Sequence, residues 1–555
     1  LAAGLFESAF MPPGQRMHLL SEGLNRDVES EPEIYNRSVE PIFDIANATY
    51  LISFGARFLE TWHSPVRYSL AYGEFRSSKG KARGKFVHVE PRMSLTAANA
   101  DEWLPARIGT EGLVALAIAQ VIIREGLRKD VTPPKFLSEP LDDYAPEKIA
   151  DKADISAEKI IHIAREFASS EKPLAIGSSR LVAHGRQNMT AIHYLNLLVG
   201  NVGKAGGVVL PAIDHFDPLE KLRGGPKPAP DPERLLEKDE VLGALLVHQS
   251  NPFYNIPRRA EVIEKIPFIT SFSSFMDETT SLADLILPDH TSLESWDISA
   301  TLVDEKRVAV TVNRPVVKPE FNTRQTADVL IALSRELSGA DFPISFDSAE
   351  EMVRKAIEQL PGRGEETADS IIEKGVWTGE ATGKAESFKP RIFPFSMLSA
   401  SAGSNDDYPL TLMAYEHAAL GTGEHSNLPL LQELPDPMTS VMWGSWVEIN
   451  PKTASSLGIA DGDLVEITSS HGAIRAPAVL YPAIRPDTVA MPYGQGHTAG
   501  RYAKGRGVNV SELSPHLNGF GNRPDTLQVK VSKAEGEARM IRFGTLLPEH
   551  PEVKR

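Results

Sequence analysis

Residues Phe86 to Glu111 read FVHVEPRMSLTAANADEWLPARIGTE. The apolar run carrying the β-branched Val87 and Val89 stops abruptly at Glu90-Pro91-Arg92, and a Ser/Thr/Ala segment follows. A second short extended piece closes at Gly109-Thr110-Glu111 and opens an apolar helical pattern from Gly112 to Leu127. An acid at the carboxyl end of a parallel strand, near the crevice where doubly wound sheets bind nucleotides, suits hydrogen bonding to ribose or base edges. Gly-Thr-Glu ahead of a helix supplies a turn residue, a capping hydroxyl and an acid at the positive helix end. On these residues alone, an ordinary strand–turn–helix unit is the better account.

The order of the neighbouring pieces changes that weighting. Upstream, Asp44 to Phe58 reads DIANATYLISFGARF and predicts a buried strand ending at Phe54-Gly55. Strand–Gly, strand–EPR and GTE–helix, in that order, resemble the nucleotide-binding core of the molybdopterin oxidoreductase superfamily of the DMSO reductase type. There the second strand usually ends Asp-Pro-Arg and the turn reads Pro-Gly-Thr-Asp. Here Glu90 and Ile108-Gly-Thr-Glu111 stand instead, so both acids are one methylene longer. The resemblance implies guanosine or ribose contacts around Gly55, Glu90, Arg92, Gly109, Thr110 and Glu111.

Bulk properties set outer bounds. A chain of 555 residues is too long for one core and predicts three or four domains. With 41% hydrophobic and 24% charged residues the composition is that of a soluble globular protein. The apolar run Leu113 to Ile123 is interrupted by Gln120 and too short to span a bilayer. A net charge of −16 argues against nucleic acid or an anionic membrane as the main partner, while suiting a basic one such as a lysine-rich cytochrome. The absence of cysteine excludes disulfides, thiolate metal sites and cysteine-ligated iron–sulfur clusters within these residues. Because the chain starts at Leu1 in mid-pattern, a further N-terminal segment is expected, which in the superfamily often carries a signal peptide and a cluster.

Along the chain, strand and helix signals alternate to about Lys172, as in a parallel sheet with crossover helices. Asp154 to Ala168, with Ser156 as cap, predicts a helix. A strand ending at Gly177 and a helix from Asn188 to Val199 run into GNVGKAGG at Gly200 to Gly207. A glycine-rich turn alone is a helix stop; after strand–Gly–helix it fits the superfamily pattern. Phe216 to Glu240 reads as a surface loop. Leu242 to Gln249 predicts a buried strand ending at Ser250-Asn251-Pro252, followed by a strand at Phe268 to Phe272, by Asp277-Glu278-Thr279 and by ADLILPDH at Ala283 to His290. These turns also match the superfamily, which makes Ser250, Asn251, Asp277 and His290 candidate nucleotide or pterin contacts. Helix capping competes for Asp277 and is favoured for Asp284; a structural role competes for His290.

Gly362 to Asp407 reads as a linker. From Tyr408 the pattern changes: Trp446 to Thr468 carries a short helix, an Asp-Gly turn and an alternating strand, and strands at Gly472 to Leu480 and Pro486 to Met491 follow. Its I-x-x-G-D-x-V rhythm resembles the six-stranded barrel that closes over the pterins in the superfamily. The predicted fold is therefore α/β: two doubly wound Rossmann-like domains plus a C-terminal six-stranded double-psi-type β-barrel. The expected boundaries are 1–45 with 173–335 for one α/β domain, 46–172 for the other, 336–407 for a helical or linker segment, and 408–545 for the barrel.

GQGHTAGRY at Gly494 to Tyr502 sits where the superfamily brings backbone and side chains onto a pterin. Glycines permit close approach, His497 and Arg501 can bond ring heteroatoms or phosphate, and Tyr502 can stack. A glycine-rich loop whose arginine pairs with a surface acid is the competing reading. Together with Gly177 and Gly496, these residues complete the expected cofactor-binding set, and a bis-molybdopterin guanine dinucleotide is the cofactor the resemblance implies. A metal centre would also need a protein ligand; cysteine is absent, and Ser21 in MHLLSEG aligns loosely, as a loop serine or cap. The phrases FLETW at Phe58, QELPDPMT at Gln432 and GQGHTAGRYAKGRGVN are similar to molybdopterin-binding-like subunits of the quinone reductase complex and of alternative complex III. Such subunits keep the fold with or without cofactor, beside iron–sulfur, multihaem cytochrome c and integral membrane quinone-binding subunits at the periplasmic face of the membrane. The alternative is a catalytic bis-molybdopterin guanine dinucleotide enzyme of polysulfide, thiosulfate or formate type, and a third class is a plain nucleotide-binding scaffold.

Overall fold

The computed structural model describes residues 34–35, 41–77, 83–128, 141–178, 185–211, 243–255, 263–338, 346–380, 395, 406–514 and 526–544. Ser21 and the expected surface loop at 216–240 lie outside these residues.

Four short apolar strands build the first sheet: β1 (Tyr50–Phe54), β2 (Lys85–Val89), β3 (Glu102–Leu104) and β4 (Pro173–Gly177). All pair in parallel, in the order β3-β2-β1-β4. Every residue of β1 and β4 is buried, as expected for strands covered on both faces. One face is covered by the helix Pro65–Arg76 (α1) with Trp62 and Phe75, the other by α2 (Glu111–Arg124), α3 (Pro146–Ala153), α4 (Ala157–Ser169) and α5 (Gly185–Val199). α2 is apolar all round and buried from Glu111 to Ile122, because it is sandwiched between α4 and α5. Leu116→Ala there would cost about 2–5 kcal/mol through the cavity left behind. Ser156 caps α4 by accepting from the Lys159 N–H, as the sequence predicts.

One boundary moves. The chain from 173 was expected to start another domain, but β4 pairs with β1 from Tyr50↔Pro173 to Phe54↔Gly177. The free edge of β1 accepts the returning strand, which is how a doubly wound sheet grows in both directions from its first strand.

The second sheet is parallel and smaller: β5 (Leu245–His248), β6 (Ile269–Ser273) and β7 (Leu285–Pro288) in sequential order. β5 is an edge strand whose Leu246 and His248 are exposed, which corrects the expectation of a buried strand. A third, antiparallel sheet joins β8 (Asp297–Leu302), β9 (Arg307–Asn313) and β10 (Val376–Glu380). The last of these, with the helix Ala368–Lys374, falls in the stretch read as a linker from Gly362; Trp377 and Ile371 are buried against β9, so apolar anchors spaced among polar residues order it.

The C-terminal barrel closes in the order β11 (Leu410–Tyr415), β15 (Thr488–Pro492), β12 (Val447–Ile449), β14 (Ala473–Leu480), β13 (Leu464–Thr468) and β16 (Thr526–Lys533). Two of its contacts are parallel, β11 with β15 and β12 with β14. Alternation puts Val465 and Ile467 inside with Ile449, Val489 and Val531. Among the described residues no helix is long and apolar enough to cross a membrane.

Candidate functional site

The order β3-β2-β1-β4 puts the reversal of strand order between β1 and β4, whose carboxyl ends are Gly55 and Gly177. Ligands bind doubly wound sheets outside such a switch point. Gly55 takes φ +70° while its N–H bonds the Val89 carbonyl at 3.0 Å, a conformation unfavourable to a side-chain-bearing residue. Gly177 lies so close to α5 that an added Cβ would stand 2.5 Å from Ile192 Cδ1.

Glu90 ends β2 fully buried. Arg57 Nε donates to its Oε1 at 2.6 Å, and His88 Nε2 lies 3.1 Å from Oε2. Burial pushes this carboxyl up, but the Arg57 charge and the His88 contact more than offset it and hold the pKa at about 2. Arg92 turns the other way, into the barrel. Its Nε and Nη2 form a two-pronged pair with Glu448 at 2.5 and 2.8 Å, and its guanidinium stacks 4.1 Å from the Tyr415 ring centroid. Tyr415 Oη and Trp446 Nε1 donate to the same Glu448 oxygen. Backbone bonds from Met93 N to Ala483 O and from Arg485 N to Pro91 O dock the Glu90-Pro91-Arg92 turn onto the barrel.

At the start of α2 the Thr110 hydroxyl donates to the Arg107 carbonyl at 2.6 Å and does not cap the helix, which corrects the capping expectation. Glu111 is 1% exposed, and neither of its carboxylate oxygens has a hydrogen-bond partner among the described residues. Burial pushes this carboxyl up to about 8; the amides of Glu111 itself and Gly109 pull the other way, and the Glu90 charge, the smallest of these influences, adds to the rise. Asn188 on α5 donates to the Ser178 carbonyl, while its buried Oδ1 has no partner among the described residues and lies against Gly112.

The second sheet meets the barrel through different chemistry. Glu278 begins α6 (Glu278–Ser281) and accepts from Asn251 Nδ2 at 2.7 Å, Thr498 N at 2.6 Å and Ala499 N at 3.2 Å, with His497 Nδ1 at 3.1 Å. Burial would raise its pKa, but the His497 contact, Asn251 and the Thr498 amide hold it at about 2. The His497 ring stacks on Tyr254, centroids 3.8 Å apart, and Tyr254 Oη donates to the Gln495 carbonyl. Asn251 Oδ1 accepts from both the amide and hydroxyl of Thr279.

The sequence-derived candidates thus fall into two groups. Gly55, Glu90, Gly109, Thr110, Glu111 and Gly177 gather at the carboxyl ends of the first sheet, with Arg92 turned into the barrel contact. Asn251 and His497 meet around Glu278 at the second sheet, where Ser250 immediately precedes Asn251. Asp277 caps α6, accepting from Thr280 N at 2.7 Å. Asp284 accepts from Ile269 N at the head of β6, so it ties a strand and caps no helix. His290 bonds Thr323 instead of joining the Glu278 group, and Arg501 is exposed and stacks on Tyr502. Gly496 adopts φ +87° against the Asn509 amide, leaving no room for a side chain. Arg57, Asn188, Tyr254, Glu278 and Glu448 were not among the candidates. An arginine inside GARF and a glutamate inside the apolar WVEI were the available signals, since a charge in an apolar run implies a buried partner.

Glu102, His162 and Glu166 lie within 4.8 Å of one another, but Lys85 bridges Glu102 at 2.8 Å and Glu166 at 2.5 Å, with Lys159 also on Glu102. That is a partly solvated ion-pair network.

Comparison with known proteins agrees with this architecture. The Molybdopterin oxidoreductase family profile matches residues 9–336, and the Molydopterin dinucleotide binding domain profile matches residues 432–525. The chain is 29% identical over 496 residues to the menaquinone reductase molybdopterin-binding-like subunit of Nitratidesulfovibrio vulgaris, covering 85% of this chain and 68% of that protein. It is 23% identical to the thiosulfate reductase molybdopterin-containing subunit of Salmonella typhimurium, covering 88% and 75%. Among solved structures, acetylene hydratase from Pelobacter acetylenicus superposes with a TM-score of 0.70 at 17% identity, covering 91% of this chain and 80% of that one, a likeness of fold.

Proposed function

The chain belongs to the molybdopterin oxidoreductase family, and from that premise we propose that it is the molybdopterin-binding-like subunit of a membrane-associated menaquinone oxidoreductase complex. The observation that carries this reading is the similarity to the menaquinone reductase subunit across 85% of the chain. In this role the chain takes part in electron transfer between cytochrome or iron–sulfur partners and the quinone pool. Its partners are an iron–sulfur subunit, a multihaem cytochrome c and an integral membrane quinone-binding subunit, which hold it at the periplasmic face of the membrane.

A bound pterin dinucleotide with its metal would supply two-electron redox chemistry. This chain's own residues bind, orient and shield. Gly55, Gly109 and Gly177 keep backbone close to the first crevice, Glu111 offers a buried carboxyl there, and the barrel covers both sheets. With no cysteine in the sequence, no side chain of this chain makes or breaks bonds in the proposed role. A catalytic bis-molybdopterin guanine dinucleotide subunit is the second reading, favoured by the thiosulfate reductase similarity.

The two separate on elemental analysis of the purified native complex, with pterin fluorescence after oxidative release. Menaquinone reduction by a preparation without stoichiometric molybdenum or tungsten is expected. Stoichiometric metal with two pterins per chain would establish the catalytic reading instead.

A further inference from the structure

Directly after β9, residues Arg314 to Arg324 read RPVVKPEFNTR and cross the surface outside any helix or strand. This strap is fixed along its length to the end of β7 and the residues after it. The Val316 and Val317 N–H groups both donate to the Leu293 carbonyl, at 2.9 and 3.3 Å, and Arg324 N donates to the Pro288 carbonyl at 3.1 Å. Glu320 N donates to Glu294 Oε1 at 3.3 Å, and Thr323 Oγ1 lies 2.7 Å from His290 Nδ1. A strap held at so many points could bury its apolar side chains, and it does the reverse. Phe321 is 74% exposed, Val316 67%, Leu293 57% and Val317 49%. Exposed apolar side chains are ordinary when scattered, but these four lie on the strap and on the residue that holds it. Together they expose on the order of 400 Å², the size at which an apolar patch marks a contact surface. Arg314, Lys318 and Arg324 stand among them, all exposed and none in an ion pair among the described residues. Glu320 is the one acid of the strap, and the Glu294 carboxylate beneath it is taken up by the amides of Thr291 and Glu320.

We infer that this strap is a docking site for another protein subunit, one that presents an apolar pocket rimmed by carboxylates. Val316, Val317 and Phe321 fill the pocket, and the three cations meet the rim, a charge arrangement that steers encounter and fixes register. Because the strap is already held in place, docking it costs little ordering entropy. It is not an edge for another strand to pair with: Pro315 and Pro319 have no N–H, and those of Val316 and Val317 are spent on Leu293. A second copy of this chain fits poorly, since strap against strap opposes like charges, and strap against another face makes a head-to-tail contact that does not close. The patch is about half of the ~800 Å² per partner of a stable stand-alone interface, which suits one contact among several in a larger complex. An anionic bilayer is disfavoured because its field acts on the whole chain, whose net charge is −16. The inference rests on the reading of the chain as a subunit of a complex, and adds a second kind of partner to it. The chain as a whole suits a basic cytochrome; this strap suits an acidic face.

The test is recovery of the native complex by affinity purification through this chain. Val316→Glu combined with Phe321→Glu is expected to lower the yield of one partner subunit by about tenfold or more. Arg314→Glu combined with Lys318→Glu should give the same loss, while Leu70→Glu, at a side chain 71% exposed on α1, leaves every subunit in place. A photoreactive phenylalanine analogue at position 321 of the otherwise wild-type chain does not depend on how the charged variants fold. Within the purified complex it should cross-link to a single partner subunit, at a segment rich in Asp and Glu. Full recovery of every subunit in both charged variants, an equal loss in Leu70→Glu, cross-links to lipid or to a second copy of this chain, or no cross-link would each overturn the inference. If the wild-type complex reduces menaquinone and the charged variants assemble fully, the docking site falls and the proposed function stands. A wild-type chain that purifies without partners and without menaquinone reduction removes both.

Discussion

The barrel meets the two sheets by opposite electrostatic strategies. Against the first sheet it sends Glu448 to a buried arginine, making a charge pair with 1% and 0% side-chain exposure. Against the second it presents backbone N–H groups and an imidazole to the buried Glu278. The first contact fixes position beside Glu111, whose carboxylate oxygens have no hydrogen-bond partner among the described residues; the second uses its polar atoms up in making the contact. One sheet is thereby clamped next to its site, and the other is clamped through it.

Cutting each clamp measures the difference. Glu448→Ala leaves Arg92 buried without its counter-charge and should cost about 3–5 kcal/mol, read as a lower thermal midpoint and faster proteolytic release of the barrel. If the loss were no larger than that of an exposed pair such as Arg475–Glu466, the clamp would be solvated and the contrast lost. Glu111 and Glu90 form the next test, because they titrate on opposite sides of the ordinary carboxyl range. Glu111, raised to about 8, carries a proton in the folded chain that the unfolded chain releases. Stability from this group is full below pH about 4.3 and falls by roughly 5 kcal/mol as pH rises towards 8, a loss that Glu111→Gln should abolish. Glu90, lowered to about 2, works in reverse: its contribution is full above the ordinary carboxyl pKa and disappears as pH falls towards 2, a loss missing from Glu90→Gln. Parallel pH–stability curves for wild type and Glu111→Gln would show that the carboxyl is matched.

Glu278→Ala strands the donors of Asn251, Thr498 and Ala499 and should cost about 2 kcal/mol, with the loop at Thr498 losing protection from hydrogen exchange. A change that spread to the first sheet would show the two contacts to be coupled. The smallest effect is expected at Ser21: Ser21→Ala leaves menaquinone reduction by the complex unchanged, and a collapse in turnover would favour the catalytic reading.

Much of this division was readable from local sequence, and its decisive contacts were not. Strand ends at Gly55, Glu90 and Gly177, the α2 pattern and the barrel rhythm are short-range signals, because periodicity and turn chemistry act over a few residues. The partner of Arg92 lies 356 positions away and that of Glu278 219 away, so the sequence could mark Glu448 as an acid in an apolar strand without naming what it meets. The same limit misplaced the boundary at 173, since which edge β4 joins is a long-range pairing. Gly362 onward looked like a linker because its few apolar anchors, Ile371 and Trp377, are outnumbered by polar residues.

The Arg92–Glu448 pair also has a bearing on biosynthesis. At about 5–20 residues per second, 356 residues take roughly 20 to 70 seconds to make, so the nascent first sheet leaves the ribosome long before its counter-charge exists. The barrel cannot close until its last strand, ending at Lys533, has been translated. Throughout that interval the surface around Arg92 and the Met93 carbonyl, which later accepts from Tyr481 Oη, is without its barrel partner. A chain stopped short of residue 526 would present that surface permanently, giving the cell's proteases a direct way to tell a finished subunit from an abandoned one.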